Sequence, residues 1–78
     1  MVIFNSTNSA INYSIICTQN IIFKYLEMVL YKKYPEYKNH ISCYITNGRK
    51  IRKTDNDMSK SLREHGIEHK AKILIYYE

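Results

Sequence analysis

Cys17, Cys43, His65 and His69 are the side chains here whose types could hold a metal or attack a carbonyl. Two thiolates and two imidazoles match the donor set of a tetrahedral zinc ion. Their spacing does not, because structural zinc sites draw ligands from short paired intervals and the two cysteines stand far apart. His65 and His69 straddle Gly66, so they do not form a helical i,i+4 pair. A cysteine hydrolase would need a base in hydrogen-bond reach, an oxyanion hole and a cleft. Neither cysteine has a nucleophile context, and both fall in strand-like segments. The bland reading is expected instead: Cys17 and Cys43 as small core residues, the histidines on a surface turn. No catalytic residue, metal ligand or cofactor site is expected, and the chain is not expected to be an enzyme.

Arg49-Lys50-Ile51-Arg52-Lys53, with Lys60 and Arg63 downstream, is the densest basic run. Arg49, Lys50, Arg52 and Lys53 could face a polyanion while Tyr37 or Tyr44 stacks on bases. The formal net charge of +5 and pI near 9.3 agree with this. Composition weakens it. Asn, Ile, Lys and Tyr make up almost half the chain, and all four have A/T-rich codons. Arginine, whose planar fork suits phosphate and bases, occurs only at positions 49, 52 and 63. A solvated hairpin edge, kept from edge pairing by its charge, is the stronger reading. The same cations could meet an acidic protein.

Seventy-eight residues make one domain with a small core. No apolar run reaches the roughly 18 residues of a membrane span. The start lacks the basic region and long apolar stretch of a signal peptide. Two cysteines make no secreted disulfide framework, so reduced thiols and a cytoplasmic or nuclear location are expected.

The elements follow from pattern and turn chemistry. Met1 to Ser6 reads as a strand, and Asn5 to Ala10 as a polar hairpin loop. Ile11, Tyr13, Ile15 and Cys17 alternate along a second strand. Thr18-Gln19-Asn20 offers caps for a helix over about 20–34, with Phe23, Leu26, Leu30 and Tyr34 on one face. Ile22 and Val29 widen that face, while Lys24, Glu27, Lys32 and Lys33 lie largely elsewhere. Pro35 ends the helix. A strand over 41–46 meets Asn47-Gly48, the strongest hairpin signal in the chain, and Arg49 to Arg52 returns. A helical turn capped by Asp57 or Ser59 carries Met58 and Leu62, and Gly66 takes a left-handed conformation. Lys72 to Tyr77, nearly all apolar, reads as a central strand. A helix packed across a mixed sheet is an α+β domain, and a parallel central pair of first and last strands makes it a β-grasp.

Several segments in this order resemble the ubiquitin-like family over nearly the whole length. Met1-Val2-Ile3-Phe4 matches its Met-x-Ile-Phe opening. Tyr44 to Ile51 resembles its strand–turn–strand segment with Gly followed by a basic residue. Leu62 to Ile67 resembles its Leu-x-x-x-Gly-Ile turn. The chain runs a few residues longer between Ile51 and Leu62, read as a longer loop around Thr54 to Lys60. The resemblance implies a ubiquitin-like β-grasp of four to five strands. Without a terminal Gly-Gly it implies a non-conjugating type, the last strand reaching to or near Glu78. The 1–78 domain is either free-standing or the N-terminal part of a longer protein.

The family binds through the solvent face of its sheet. By resemblance, the contacts fall on Ile45, Gly48, Arg49, Leu74 and Tyr76. The loop leucine of the first hairpin is Asn8 here, so that contact is lost. Parity is the open point: the resemblance turns Tyr44 inward and Ile45 outward, while hydrophobic alternation alone would bury Ile41, Cys43 and Ile45. The expected function is docking of a protein partner, either a ubiquitin-receptor-like module or an acidic or apolar helix, by a protein monomeric when isolated. The alternatives are a small basic nucleic-acid-binding domain and a structural subunit of a large assembly.

Overall fold

Period-two alternation sets the first hairpin of the computed structural model, which describes residues 1–77. In β1 (Val2–Ser6) the buried positions are Val2, Phe4 and Ser6. β2 (Asn12–Ile15) returns antiparallel, with Tyr13 opposite Phe4 and Ile15 opposite Val2. The loop between them is tied by its own side chains. Ser6 Oγ accepts from the Ile11 amide at 2.8 Å, and Asn8 Oδ1 accepts from both Ser6 Oγ and the Ala10 amide.

Helix α1 (Phe23–Lys33) buries Phe23, Leu26 and Leu30, the three- and four-residue stripe that sequence gives. It starts later than expected, and none of Thr18, Gln19 and Asn20 caps it. Ile22 is the N-cap and supplies no side-chain bond. The reason is long-range backbone pairing. The Phe23 amide donates to the Lys60 carbonyl at 2.9 Å, Leu62 to Ile21 at 3.0 Å and Arg63 to Gln19 at 2.9 Å. Those bonds pin the turn at Gln19-Asn20 and the extended Ile22 against residues 60–63, and satisfy a donor that a cap would otherwise serve. Val29 does not widen the core face; it is exposed. Glu27, expected on the surface, points into the core stripe instead. A short 3₁₀ turn, Pro35–Tyr37, follows the helix.

β3 (Ile41–Thr46) and β4 (Arg49–Arg52) form the second hairpin. Asn47 and Gly48 have φ of 52° and 72°, the two positive values a type I′ turn requires. β5 (Ala71–Tyr77) runs parallel to β1 and antiparallel to β3, at the centre of a sheet ordered β2-β1-β5-β3-β4. This is a β-grasp-like α+β fold, with one helix across one face of a five-stranded mixed sheet. No described helix is long and apolar enough to cross a membrane. The expected reach of the last strand to Glu78 lies outside the described residues at that one position.

The parity of β3 resolves by a bulge. Its pairing with β5 shifts register between Ile41 and Cys43. Ile41 and Tyr44 therefore both turn inward, while Cys43 and Ile45 turn outward and are only half-buried. Strict alternation fails here because the extra residue resets the face.

The longer segment after β4 is more than a loop. It forms α2 (Asp55–Met58), whose Met58 plugs the core. Asp57 does not cap it; its carboxylate accepts from the Arg52 amide at 3.0 Å. A second turn over 61–66 has its own cap. The Ser61 amide donates to Glu64 Oε1 at 3.0 Å, and the Glu64 amide donates to Ser61 Oγ at 3.2 Å, a reciprocal capping box. It ends in a Schellman closure, with Ile67 donating to Leu62, Gly66 donating to Arg63, and Gly66 at φ 72°. Bonds from the Ser61 amide and hydroxyl hold the Glu64 carboxyl below its ordinary range. That stabilisation is present above an unfolded pKa near 4.3 and is lost as pH falls through the folded value. Ser61→Ala should cost about 1 kcal/mol in urea melts at neutral pH. The deficit should shrink as pH drops below about 4; a pH-independent deficit would separate the cap from Glu64.

Candidate functional site

The face of the sheet away from α1 is fixed by register. Ile45 lies between Leu74 on β5 and Lys50 on β4. Cys43 lies between Tyr76 on β5 and Arg52 on β4. Leu74 continues to Asn5 on β1, and Lys72 to Ile3. Ile45, Leu74 and Cys43 are half-buried by their neighbours, while Tyr76 stands 41% exposed. Lys50, Arg52 and Lys72 are exposed around them. The result is an apolar strip across two adjacent strands with a cationic margin.

The structure brings together Ile45, Leu74 and Tyr76, with Gly48 in the turn at the end of β3. It sets Arg49 apart. Arg49 shares the face of Ile51, which is buried under the helix side, and its Nη1 donates to the His65 carbonyl at 3.2 Å. The basic run therefore divides by strand alternation. Lys50 and Arg52 project to the outer face. Lys53, just past β4, turns back to the helix and pairs with Glu27, with its Nζ also 2.6 Å from the Tyr31 hydroxyl. Burial lowers the Lys53 pKa, but the hydrogen bonds to Glu27 and Tyr31 outweigh it and hold the ammonium above its ordinary range. Two of the four expected polyanion contacts are thus engaged within the fold.

Neither tyrosine considered for base stacking is free. Tyr44 is fully buried, and Tyr37 packs edge-on against Tyr34 and Tyr77. Tyr76 and Tyr77 divide as alternation requires, with Tyr77 inward.

The metal-type side chains are dispersed. Cys43 is on the outer face rather than in the core. Cys17 packs partly buried against the core, and burial pushes its thiol above the ordinary range, which disfavours the thiolate. His65 lies on the other side of the sheet from Cys43, edge-on to Phe23, with Nε2 2.7 Å from the Asp57 carbonyl. His69 Nδ1 meets the Met1 amine at 3.0 Å. Asn8 organises its own loop.

No protein-family model matches this chain, and a search of curated proteins finds no match.

The outer face offers a surface for adhesion: apolar area, one exposed aromatic and exposed cations. Sequence reasoning passed over Cys43, Lys72 and Ile3 as parts of this face. Lys72 was readable, two residues before Leu74 in the same strand. Cys43 was not, because its orientation depends on the bulge.

Proposed function

We propose that this chain is a ubiquitin-like protein-interaction module that docks a protein partner through the outer face of its sheet. The observation that carries this reading is the cross-strand placement of Ile45 beside Leu74 and Cys43 beside Tyr76, on the face the helix leaves open. Half-buried aliphatics beside an exposed tyrosine form the kind of centre on which binding energy concentrates. Lys50, Arg52 and Lys72 supply a rim that steers an acidic partner and fixes its orientation. The partner is an apolar helix with acidic flanks, as a ubiquitin-receptor-like module presents. Free Cys17 and Cys43 suit a reducing compartment, the cytoplasm or nucleus.

The test is an NMR titration of labelled protein with a panel of ubiquitin-receptor modules. Binding should shift Ile45, Leu74, Tyr76 and Lys50. Ile45→Asp and Tyr76→Ala should each weaken it by about thirtyfold or more, with spectral dispersion unchanged, as for hot-spot truncation. Folded variants that bind as before sink the proposal. A mixed-sequence single-stranded oligonucleotide serves as the counter-test. Shifts confined to Lys50 and Arg52 that fade with salt would favour the nucleic-acid alternative.

A further inference from the structure

Helix α1 carries two apolar stripes, and the fold buries one. Phe23, Leu26 and Leu30 face the sheet. Tyr25, Met28 and Val29 recur at the same intervals on the other side and are 57%, 55% and 36% exposed. A helix on the surface of a small domain ordinarily turns a charged face to water. Here three of the five large exposed apolar side chains of the described residues share one stripe.

The chain after the helix turns this stripe into a groove. Pro35 and Lys38 fold back beside the last turns, and the groove of about 550 Å³ runs between them and Tyr25, Met28, Val29 and Lys32. That volume lies within the range of ligand-sized clefts, about 300–1,000 Å³. Its lining holds two ammonium groups and no carboxylate. Glu27 is turned inward to Tyr44 and Lys53. Glu36 is exposed on the 3₁₀ turn and does not line the groove.

We propose that this groove docks an acidic peptide segment of a second protein, with a large apolar side chain on Met28, Val29 and Tyr25 and carboxylates on Lys32 and Lys38. Charge selects this occupant. A second copy of the chain, packed about a twofold axis, would set Lys32 and Lys38 against their own kind. Methionine at the centre adapts to more than one apolar anchor. The groove lies on the opposite side of the molecule from Ile45, Leu74 and Tyr76, so the two faces can be occupied together. This inference does not rest on the sheet-face reading.

The test uses the full chain and a short capped probe peptide, Asp-Glu-Asp-Leu-Phe-Glu-Asp, followed by NMR. A control peptide carries Asn and Gln in place of every acid. The acidic peptide should shift Tyr25, Met28, Val29, Lys32 and Lys38, leave Ile45, Leu74 and Tyr76 unmoved, and bind at least about tenfold tighter than the control. Lys32→Glu with Lys38→Glu should abolish that preference, and Met28→Asp should remove binding. All three positions are exposed, and a dispersed spectrum verifies each variant's fold. Shifts elsewhere, equal binding of the control, or concentration-dependent self-association through the groove without peptide would overturn the proposal. So would binding to anionic vesicles that the peptide fails to compete. Shifts confined to Ile45, Leu74 and Tyr76 would mean that the acid-flanked peptide takes the sheet face instead of the groove and would overturn the groove alone; the receptor titration reads the sheet face separately.

Discussion

Tyr44→Ala should lower the free energy of unfolding by about 3–5 kcal/mol, the range for deleting a large aromatic from a packed core. The ring is fully buried. It stands edge-on to Phe23 at 5.0 Å and to Phe4 at 5.9 Å. It thus joins β3 to the helix and, across β5, to β1. At roughly 0.05–0.15 kcal/mol per residue, a chain of this length holds only about 4–12 kcal/mol in total. The urea midpoint should therefore fall by more than about 1 M, and the variant should be partly unfolded before denaturant is added. A midpoint within experimental error of the parent would mean that the three rings do not stabilise the sheet–helix contact. Tyr44→Phe keeps the ring and should cost only about 1–2 kcal/mol for the lost hydroxyl bond.

The hydroxyl adds a pH dependence. Burial holds the Tyr44 phenol far above its ordinary range, and its hydrogen bond to Glu27 adds to this. In the unfolded chain a phenol ionises near pH 10. A group whose folded pKa is raised stabilises fully below its unfolded value, and the contribution is lost as pH rises above it. Lys53, also held above its ordinary range, acts in the same direction. Stability should decline above about pH 10, and Tyr44→Phe should make that decline shallower.

Much of the fold was legible because local chemistry and tertiary structure agree. Alternation in β1, the paired positive φ values at Asn47 and Gly48, and Gly66 in its left-handed turn each follow from residue type. The apolar run of β5 marked it as central. The misses share one physical cause, which is that a long-range partner decided a local outcome. The start of α1 is set by the Lys60 carbonyl rather than by a cap. The faces of β3 are set by a bulge against β5. Glu27 looks like a surface residue until Lys53 and Tyr44 are brought to it. The Ser61-x-x-Glu64 box is different, since its signal is local and lies in the sequence itself. For the proposed docking face, Ile45, Leu74 and Tyr76 came from a family resemblance and not from hydrophobic alternation, which would have buried Ile45. The basic run looked like one patch in sequence, and strand alternation split it between two faces.

Glu27→Ala should cost about 2–3 kcal/mol, although the residue occupies a position in the core stripe where the helical pattern calls for an apolar side chain. Its carboxylate accepts the Tyr44 hydroxyl at 2.5 Å and pairs with the Lys53 ammonium. Removing it strands a buried phenol and leaves Lys53 with only the Tyr31 hydroxyl. Breaking one side of a fully buried pair costs about 3–5 kcal/mol, whereas an exposed pair is worth less than about 1 kcal/mol. Side-chain exposures of 13% for Glu27 and 33% for Lys53 place this pair between those limits. A double-mutant cycle with Lys53→Ala should give a coupling of at least about 0.5 kcal/mol. A coupling indistinguishable from zero would mean that Glu27 acts through Tyr44 alone. The pair also bears on binding. With Lys53 drawn to the helix and Arg49 to the His65 carbonyl, Lys50 and Arg52 are the cations of this hairpin left for a partner. Glu27→Ala frees Lys53 next to β4, so it should raise affinity for polyanions even as it lowers stability. The two effects moving in opposite directions would identify the ion pair as the element that withholds this cation from the surface.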